Sequence, residues 1–190
     1  MKFGKLQKEF NKLDFDLQIH AEMLIEICED IARISKKKLD KDLIVTCAVL
    51  HDFKNEEENH AQAGAEYAKK TLIKLGYNKN FIQKVYEIIF NHTDKKKVKD
   101  FTTACFYDSD LLCRFYPLGI LRAWAHNKTH HPERNWRELF EKVSNENNLK
   151  EYAKNMGKKL QLKESKKLLE MKEFEHLTSY KLLRELLDVR

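Results

Sequence analysis

Glycine and proline are scarce in this chain, which has five glycines and two prolines among its 190 residues. A β-rich fold needs many tight turns, and tight turns rely mainly on these two residue types. Leucine, lysine, glutamate and alanine are abundant instead, and all four are good helix formers. The composition therefore predicts an all-α protein. The length predicts one domain, or one domain with an extension, with enough chain to bury a sizeable core.

Other absences narrow the functional classes. No run approaches the roughly 18 apolar residues of a membrane-spanning helix, and no N-terminal apolar leader is seen, so we expect a cytoplasmic protein without a membrane partner. The four cysteines have no Cys-x-x-Cys spacing and lie among apolar residues, which indicates reduced core side chains. Nucleophilic serine or cysteine chemistry is disfavoured, because there is no Gly-x-Ser-x-Gly motif and no cysteine in an electropositive setting.

The charge of the chain is moderately positive, at +6 when histidine is neutral. Lysine supplies most of it, with small clusters at residues 36–38 and 95–97. We interpret these lysines mainly as solvated helix ends, with a mild attraction for phosphate-bearing ligands. The chain has none of the motifs of a nucleic-acid-binding protein, so no specific nucleic-acid partner is expected.

Helix boundaries can be predicted at several points of the first half. Apolar residues recur at helical spacing from about Leu6 to Ile34. Asp40 is a suitable N-cap for a helix from Lys41 to about Phe53, and Asn78 is a suitable N-cap for the helix that ends at residues 91–92. Between them, Gly76 stands where a C′ glycine is typical.

Three further patterns concern packing. The helix that begins near residue 60 has almost only small residues in its first half, so another helix can approach it closely. Pro117 predicts a kink or break. The stripe at three-residue steps from Leu168 to Leu183 predicts an amphipathic helix that packs on the domain or forms a dimer or partner surface.

Polar residues that end or interrupt apolar segments point to a site. The apolar run from Leu43 to Leu50 leads directly into His51 and Asp52, and an ionised carboxylate near a buried segment needs a partner or a metal. Asp110 stands among apolar neighbours further on, and His20 lies on an apolar stripe. His20 taken alone would be interpreted as a core histidine. Imidazole and carboxylate ligands in this mixture suit a divalent transition metal or Mg²⁺, and a helical bundle can bring them to one ion.

Five blocks in chain order resemble the HD-domain superfamily of metal-dependent phosphohydrolases, and in particular a subgroup of small bacterial HD hydrolases. The resemblance extends over roughly Leu17 to His126 and implies an all-α HD-domain helical bundle. We expect a core at residues 1–130 and, from the amphipathic pattern of the C-terminal part, a helical extension packed on the core at 131–190; the region after about His131 matches no known pattern. The blocks are AVLHDF (48–53), HAQAGAEYAKKTL (60–72), IIFNH (88–92), DSDLL (108–112) and GILRAWAH (119–126).

The resemblance also implies roles for individual residues. It implies a divalent ion (Mn, Mg, Co, Ni, Fe or Zn) with the ligands His20, His51, Asp52 and Asp110. Asp52 would also orient or deprotonate the hydrolytic water. The implied pocket residues are His60 and His92, as phosphate contacts, general acid or second-metal ligands, and Lys54 and Arg122, as contacts of the substrate phosphate.

Two departures from the family pattern bear on the substrate. The Leu of the DSDLL block is usually followed by an Asp, and here that position is Cys113. Members that act on deoxynucleoside monophosphates carry a catalytic Glu shortly after the His-Asp pair, and here that position is Asn55, followed by Glu56–Glu58. A strict assignment to that activity is therefore not supported.

The leading interpretation is a metal-dependent hydrolase that cleaves a phosphoester or phosphoanhydride, with a nucleotide as the expected substrate. One alternative keeps the fold and makes the protein an HD-type metal-dependent oxygenase. Another is a non-catalytic HD-like module that senses a nucleotide or binds a partner, including a second copy of the chain, through its C-terminal helix. The presence of all the implied ligands argues against a degenerate sensor.

Overall fold

The computed structural model describes residues 3–94, 98, 100–116, 118–119, 122, 132–133, 135 and 146–172. Every regular element within these ranges is a helix, which confirms the all-α prediction. The chain divides into two compact units, residues 1–110 and 111–190. The predicted division at residue 130 stays a prediction, because much of the chain around it lies outside the described ranges.

The first unit begins with a 3-10 turn at Gly4–Leu6 and a one-turn helix, α1 (Gln7–Phe10). The apolar stripe that predicts a helix from about Leu6 is interrupted at residues 11–14, because Asp14 has an extended backbone (φ −60°, ψ 154°). The helices that follow are α2 (Phe15–Ser35), α3 (Lys41–Leu50), α4 (His60–Lys74), α5 (Lys79–Asn91) and α6 (Phe101–Leu112).

The predicted helix caps are confirmed. The Asp40 carboxylate accepts a hydrogen bond from the Leu43 amide at 3.2 Å, and Asn78 accepts one from the Phe81 amide at 2.9 Å. Gly76 has φ +73°, a left-handed conformation that costs glycine little. It ends α4 in a Schellman motif, with hydrogen bonds from the Tyr77 amide to Leu72 O at 3.1 Å and from the Gly76 amide to Ile73 O at 3.1 Å.

The end of α3 differs from the prediction in a way that matters for the site. The helix ends at Leu50 and not near Phe53, and residues 51–56 form consecutive turns. His51 still donates its amide to Cys47 O at 2.9 Å, so it closes the last helical turn. Asp52 follows in the turn itself. His51 itself keeps helical dihedral angles (φ −68°, ψ −38°), so the two ligands leave the backbone where the helix gives way to the turn.

The core of the first unit is built where α4 packs on α5 and α2 packs on α3. Fully buried aliphatic side chains such as Leu24, Ile44 and Ile89 fill it. Cys28, Cys47 and Cys105 are buried in this unit, Cys113 is buried in the second unit, and all four cysteines are free thiols, which confirms the prediction of reduced core side chains.

The second unit is described in part. It contains a 3-10 turn at Cys113–Phe115, helix α7 (Glu146–Lys159) and further helical residues at 163–172. Phe115 stacks on Tyr152 with ring centroids 5.5 Å apart. The predicted kink at Pro117 and the C-terminal stripe beyond residue 172 lie outside the described residues. A search of the described residues for a helix long and apolar enough to cross a membrane found none.

Candidate metal centre

The predicted ligands come from three helices of the first unit. His20 lies in the second turn of α2, His51 caps the C-terminus of α3, Asp52 is the next residue, and Asp110 lies near the end of α6. His20 and His51 are almost completely buried, with 3% and 1% of their surface exposed. The carboxyl side chains are more open, at 19% for Asp52 and 29% for Asp110. The tertiary fold therefore brings all four residues into contact.

The donor atoms of these side chains face one another. The Nε2 atoms of His20 and His51 lie 3.3 Å apart, and Asp52 Oδ2 lies 3.5 Å from the first and 3.3 Å from the second. His20, His51 and Asp52 form a group in which all three ligand atoms lie within 4.8 Å of one another. Asp110 joins the group through His20, because its Oδ1 lies 3.2 Å from His20 Nε2.

These spacings fit the ligand shell of a small divalent ion. Ligands at about 2.1 Å from an ion are separated by about 3.0 Å in octahedral and about 3.4 Å in tetrahedral geometry. His51 is also held in the tautomer that a ligand requires, since its Nδ1 donates to Ala48 O at 3.0 Å and leaves the Nε2 lone pair facing the group. His20 lacks such an anchor: its buried Nδ1 has no hydrogen-bond partner among the described residues.

The protonation of the metal-free group follows from its charges. Burial alone would lower the pKa of His51, but the carboxylates of Asp52 and Asp110 raise it to about 9. Burial raises the pKa of Asp52, yet the neighbouring imidazoles of His51 and His20 hold it far below its ordinary range. Burial also raises the pKa of Asp110, but its hydrogen bond with His20 and the neighbouring imidazoles lower it to about 2. The carboxylates thus favour the protonated form of His51 in the metal-free protein.

This arrangement predicts opposite effects of pH with and without metal. A histidine whose folded pKa is raised to about 9 stabilises the metal-free protein below its unfolded pKa of about 6.5, and that stability is lost as the pH rises towards 9. We therefore expect the melting temperature in chelator to fall between pH 6.5 and 9. A bound ion needs the neutral imidazole, so the stabilisation by added metal should grow over the same range.

Thermal melts in chelator and in excess Mn²⁺, at several pH values, would measure both trends. Glu22→Ala serves as the control, because Glu22 is exposed and lies two residues from His20 on α2. A melting temperature that is independent of pH in chelator would contradict the raised pKa of His51.

Two further histidines extend the group into a row of imidazoles. The ring of His92 lies 5.6 Å from that of His51, and the ring of His60 lies 5.3 Å from that of His92, centroid to centroid. His92 is 5% exposed and donates from Nδ1 to Ile89 O at 2.6 Å. Burial and the neighbouring His51 lower the pKa of His92, so its Nε2 is unprotonated at neutral pH. It is therefore better suited to accept a hydrogen bond or bind an ion than to act as a general acid.

The two predicted phosphate contacts, Lys54 and Arg122, lie in different units of the chain. Lys54, three residues after His51, is exposed and forms an ion pair with Glu57 at 3.1 Å. Arg122 lies in the second unit. The roles of Lys54, Arg122, His60 and His92 stay predictions.

A residue that sequence analysis did not connect with the site is Gly64 on α4. A Cβ placed on Gly64 would lie 2.3 Å from the carbonyl oxygen of His51, far inside van der Waals contact. The helix therefore rests directly on the backbone of a predicted ligand. The run of small residues around position 64 predicts a close approach by another element, but it does not say which element approaches.

A comparison with models of protein families identifies a family for this chain. The model of a family described as "HD domain" matches residues 17–186, which is most of the chain. The match extends well beyond His126. No curated protein and no solved structure matches the chain significantly.

Proposed function

The chain belongs to the HD-domain family, and we propose that it is a divalent-metal-dependent hydrolase that cleaves a phosphoester or phosphoanhydride bond, with nucleotides as its substrate class. The family as a whole implies metal-dependent phosphohydrolases. The observation that carries the proposal for this chain is the convergence of two imidazole nitrogens and a carboxylate oxygen within 3.5 Å of one another.

The bound ion would supply a Lewis acid for the phosphoryl oxygens and a nucleophile at neutral pH. The residues of the protein would have separate roles around this ion. The buried His20 and His51 would supply nitrogen ligands, and the more exposed Asp52 and Asp110 would supply oxygen ligands that neutralise the charge of the ion. Because its pKa is held so low, Asp52 is a carboxylate at every working pH and can accept a hydrogen bond from the attacking water.

The partial exposure of the carboxylates supports a catalytic ion over a structural one. A structural site is closed by its protein ligands, whereas a catalytic site keeps positions open for water and substrate. The side chains of Asp52 and Asp110 are 19% and 29% exposed, so an ion bound to them would be within reach of water and substrate. The unprotonated Nε2 of His92 lies next to the same group and can accept a hydrogen bond from the substrate or from water.

The first test is the metal content of the purified protein, by elemental mass spectrometry, for the wild type and Asp110→Ala. We expect about one or two transition-metal ions per chain in the wild type, since its nitrogen ligands favour Mn, Fe, Co, Ni or Zn over Mg. We expect a large loss in Asp110→Ala and wild-type content in Glu22→Ala, whose exposed carboxylate lies on the same helix as His20.

The activity test uses the same three proteins with Mn²⁺ or Mg²⁺ added and a panel of nucleoside mono-, di- and triphosphates. Release of phosphate or pyrophosphate by the wild type and by Glu22→Ala, but not by Asp110→Ala, is the expected result. Metal binding without hydrolysis of any phosphorylated compound would contradict the proposed activity and favour a sensor.

A further inference from the structure

A cleft with a volume of 1080 Å³ lies at the opposite end of α3 from the metal centre. It is lined by the last turn of α2, the connection at residues 36–40, the first turn of α3 and Thr102 of α6. Helix α3 is ten residues long, so the cleft at its start lies about 15 Å from His51 at its end. The cleft is thus a separate feature of the first unit.

The cleft is rich in cations. Its lining includes one arginine and four lysines against three acids. Two of the cations are ion-paired, Lys41 with Glu29 at 2.8 Å and Arg33 with Asp30, and the acid Asp40 caps α3. The cationic residues are Arg33, Lys36, Lys37, Lys38 and Lys41.

The backbone holds the three consecutive lysines at the entrance of the cleft. Lys36 has φ +55°, the left-handed conformation that favours glycine, and it turns the chain away from α2. Lys37 lies over the ring of Phe101, with its Nζ 4.9 Å from the ring centroid. A lysine after a helix complements the helix dipole, which accounts for Lys36. Lys38 lies beyond the reach of that effect and is exposed beside two like charges.

We propose that this cleft binds a phosphate chain, that is, a small anion with two or three linked phosphates. The volume is close to that of small-molecule sites, about 300–1,000 Å³. Lys36, Lys37 and Lys38 are consecutive and line one concavity, whereas a nucleic-acid surface presents its cations as a longer stripe. Such a site does not depend on the metal centre or on the proposed hydrolysis.

The test is calorimetric titration with inorganic tripolyphosphate in the presence of EDTA, which removes metal-dependent phosphate binding. The variant Lys36→Gln with Lys38→Gln removes two exposed charges of the cleft and keeps a side chain with a Cβ at the left-handed position. We expect it to bind at least about tenfold more weakly, because charge-assisted hydrogen bonds to phosphate are lost.

The matched control is Lys79→Gln with Lys84→Gln, which removes two exposed lysines of α5 and changes the net charge equally. We expect its affinity to stay within about twofold of the wild type. Equal weakening in both double variants would show general attraction by net charge and overturn the proposal, as would the absence of saturable binding. Parallel titrations with ATP distinguish two classes of natural ligand. Equal affinity for ATP and tripolyphosphate indicates an inorganic polyphosphate, and tighter binding of ATP indicates a nucleotide.

Discussion

Replacing Asp52 with alanine is expected to lower the rate of hydrolysis by about 10³-fold or more, since it removes both an ion ligand and the carboxylate that faces the attacking water. Asp52 Oδ2 is the atom that lies within 3.5 Å of both His20 Nε2 and His51 Nε2. The loss should appear in kcat with any substrate that the wild type hydrolyses, at saturating metal.

The helical circular-dichroism signal of this variant should persist, because the Asp52 side chain is partly exposed and lies in a turn after α3. Asp52→Asn keeps the shape of the side chain and removes its charge, so a similar loss in that variant assigns the effect to the charge. Glu26→Ala, at an exposed position of α2, should keep full activity. Full activity in Asp52→Ala would end the proposed mechanism.

Replacing Gly64 with alanine is expected to destabilise the protein and weaken metal binding together. The added methyl group would lie 2.3 Å from His51 O, so either α4 or the backbone of His51 must move. Overpacking of this kind costs about 1–3 kcal/mol. Displacing the backbone of a ligand should lower metal affinity by about 10–100-fold, as is typical when the support of a ligand is lost.

Chemical denaturation in chelator and metal titration would measure the two effects separately. Gly157→Ala on α7 is the matched control, since a Cβ there would meet Leu169 Cδ2 at 3.7 Å, an ordinary contact. That variant should be as stable as the wild type or gain up to about 1 kcal/mol from the better helix propensity of alanine. If Gly64→Ala bound metal like the wild type, the contact with His51 would have no role in the site.

The helix caps were predicted from the sequence, because they depend on contacts within a few residues. Asp40, Gly76 and Asn78 act through hydrogen bonds or dihedral angles within a few residues, and all three occur where the sequence placed them. The end of α3 was predicted three residues too late, because residues 51–53 carry no breaker and their apolar context favours a helix. In the structure, the end of α3 coincides with the close approach of Gly64 on α4 to the carbonyl oxygen of His51, a tertiary contact that local sequence does not give.

For the candidate site too, the sequence predicted some features and not others. The resemblance of residue blocks selected His20, His51, Asp52 and Asp110, and the fold brings them into contact. The resemblance could not show which ligand contacts which. Asp110 contacts His20, and this contact depends on how α6 packs on α2. The resemblance also could not show that Lys54 pairs with Glu57, because the sequence does not determine the direction in which either side chain points.

The unanchored Nδ1 of His20 has a consequence for selectivity among ions. His51 is fixed by its hydrogen bond to Ala48, while no described residue holds the ring of His20 from behind. A ring without that restraint can tilt to follow ions of different radius, so the site should exchange one divalent ion for another with little strain. Its preference would then follow the intrinsic order of the metals and their supply, with copper and zinc ahead of iron and manganese when all are present at equal concentration.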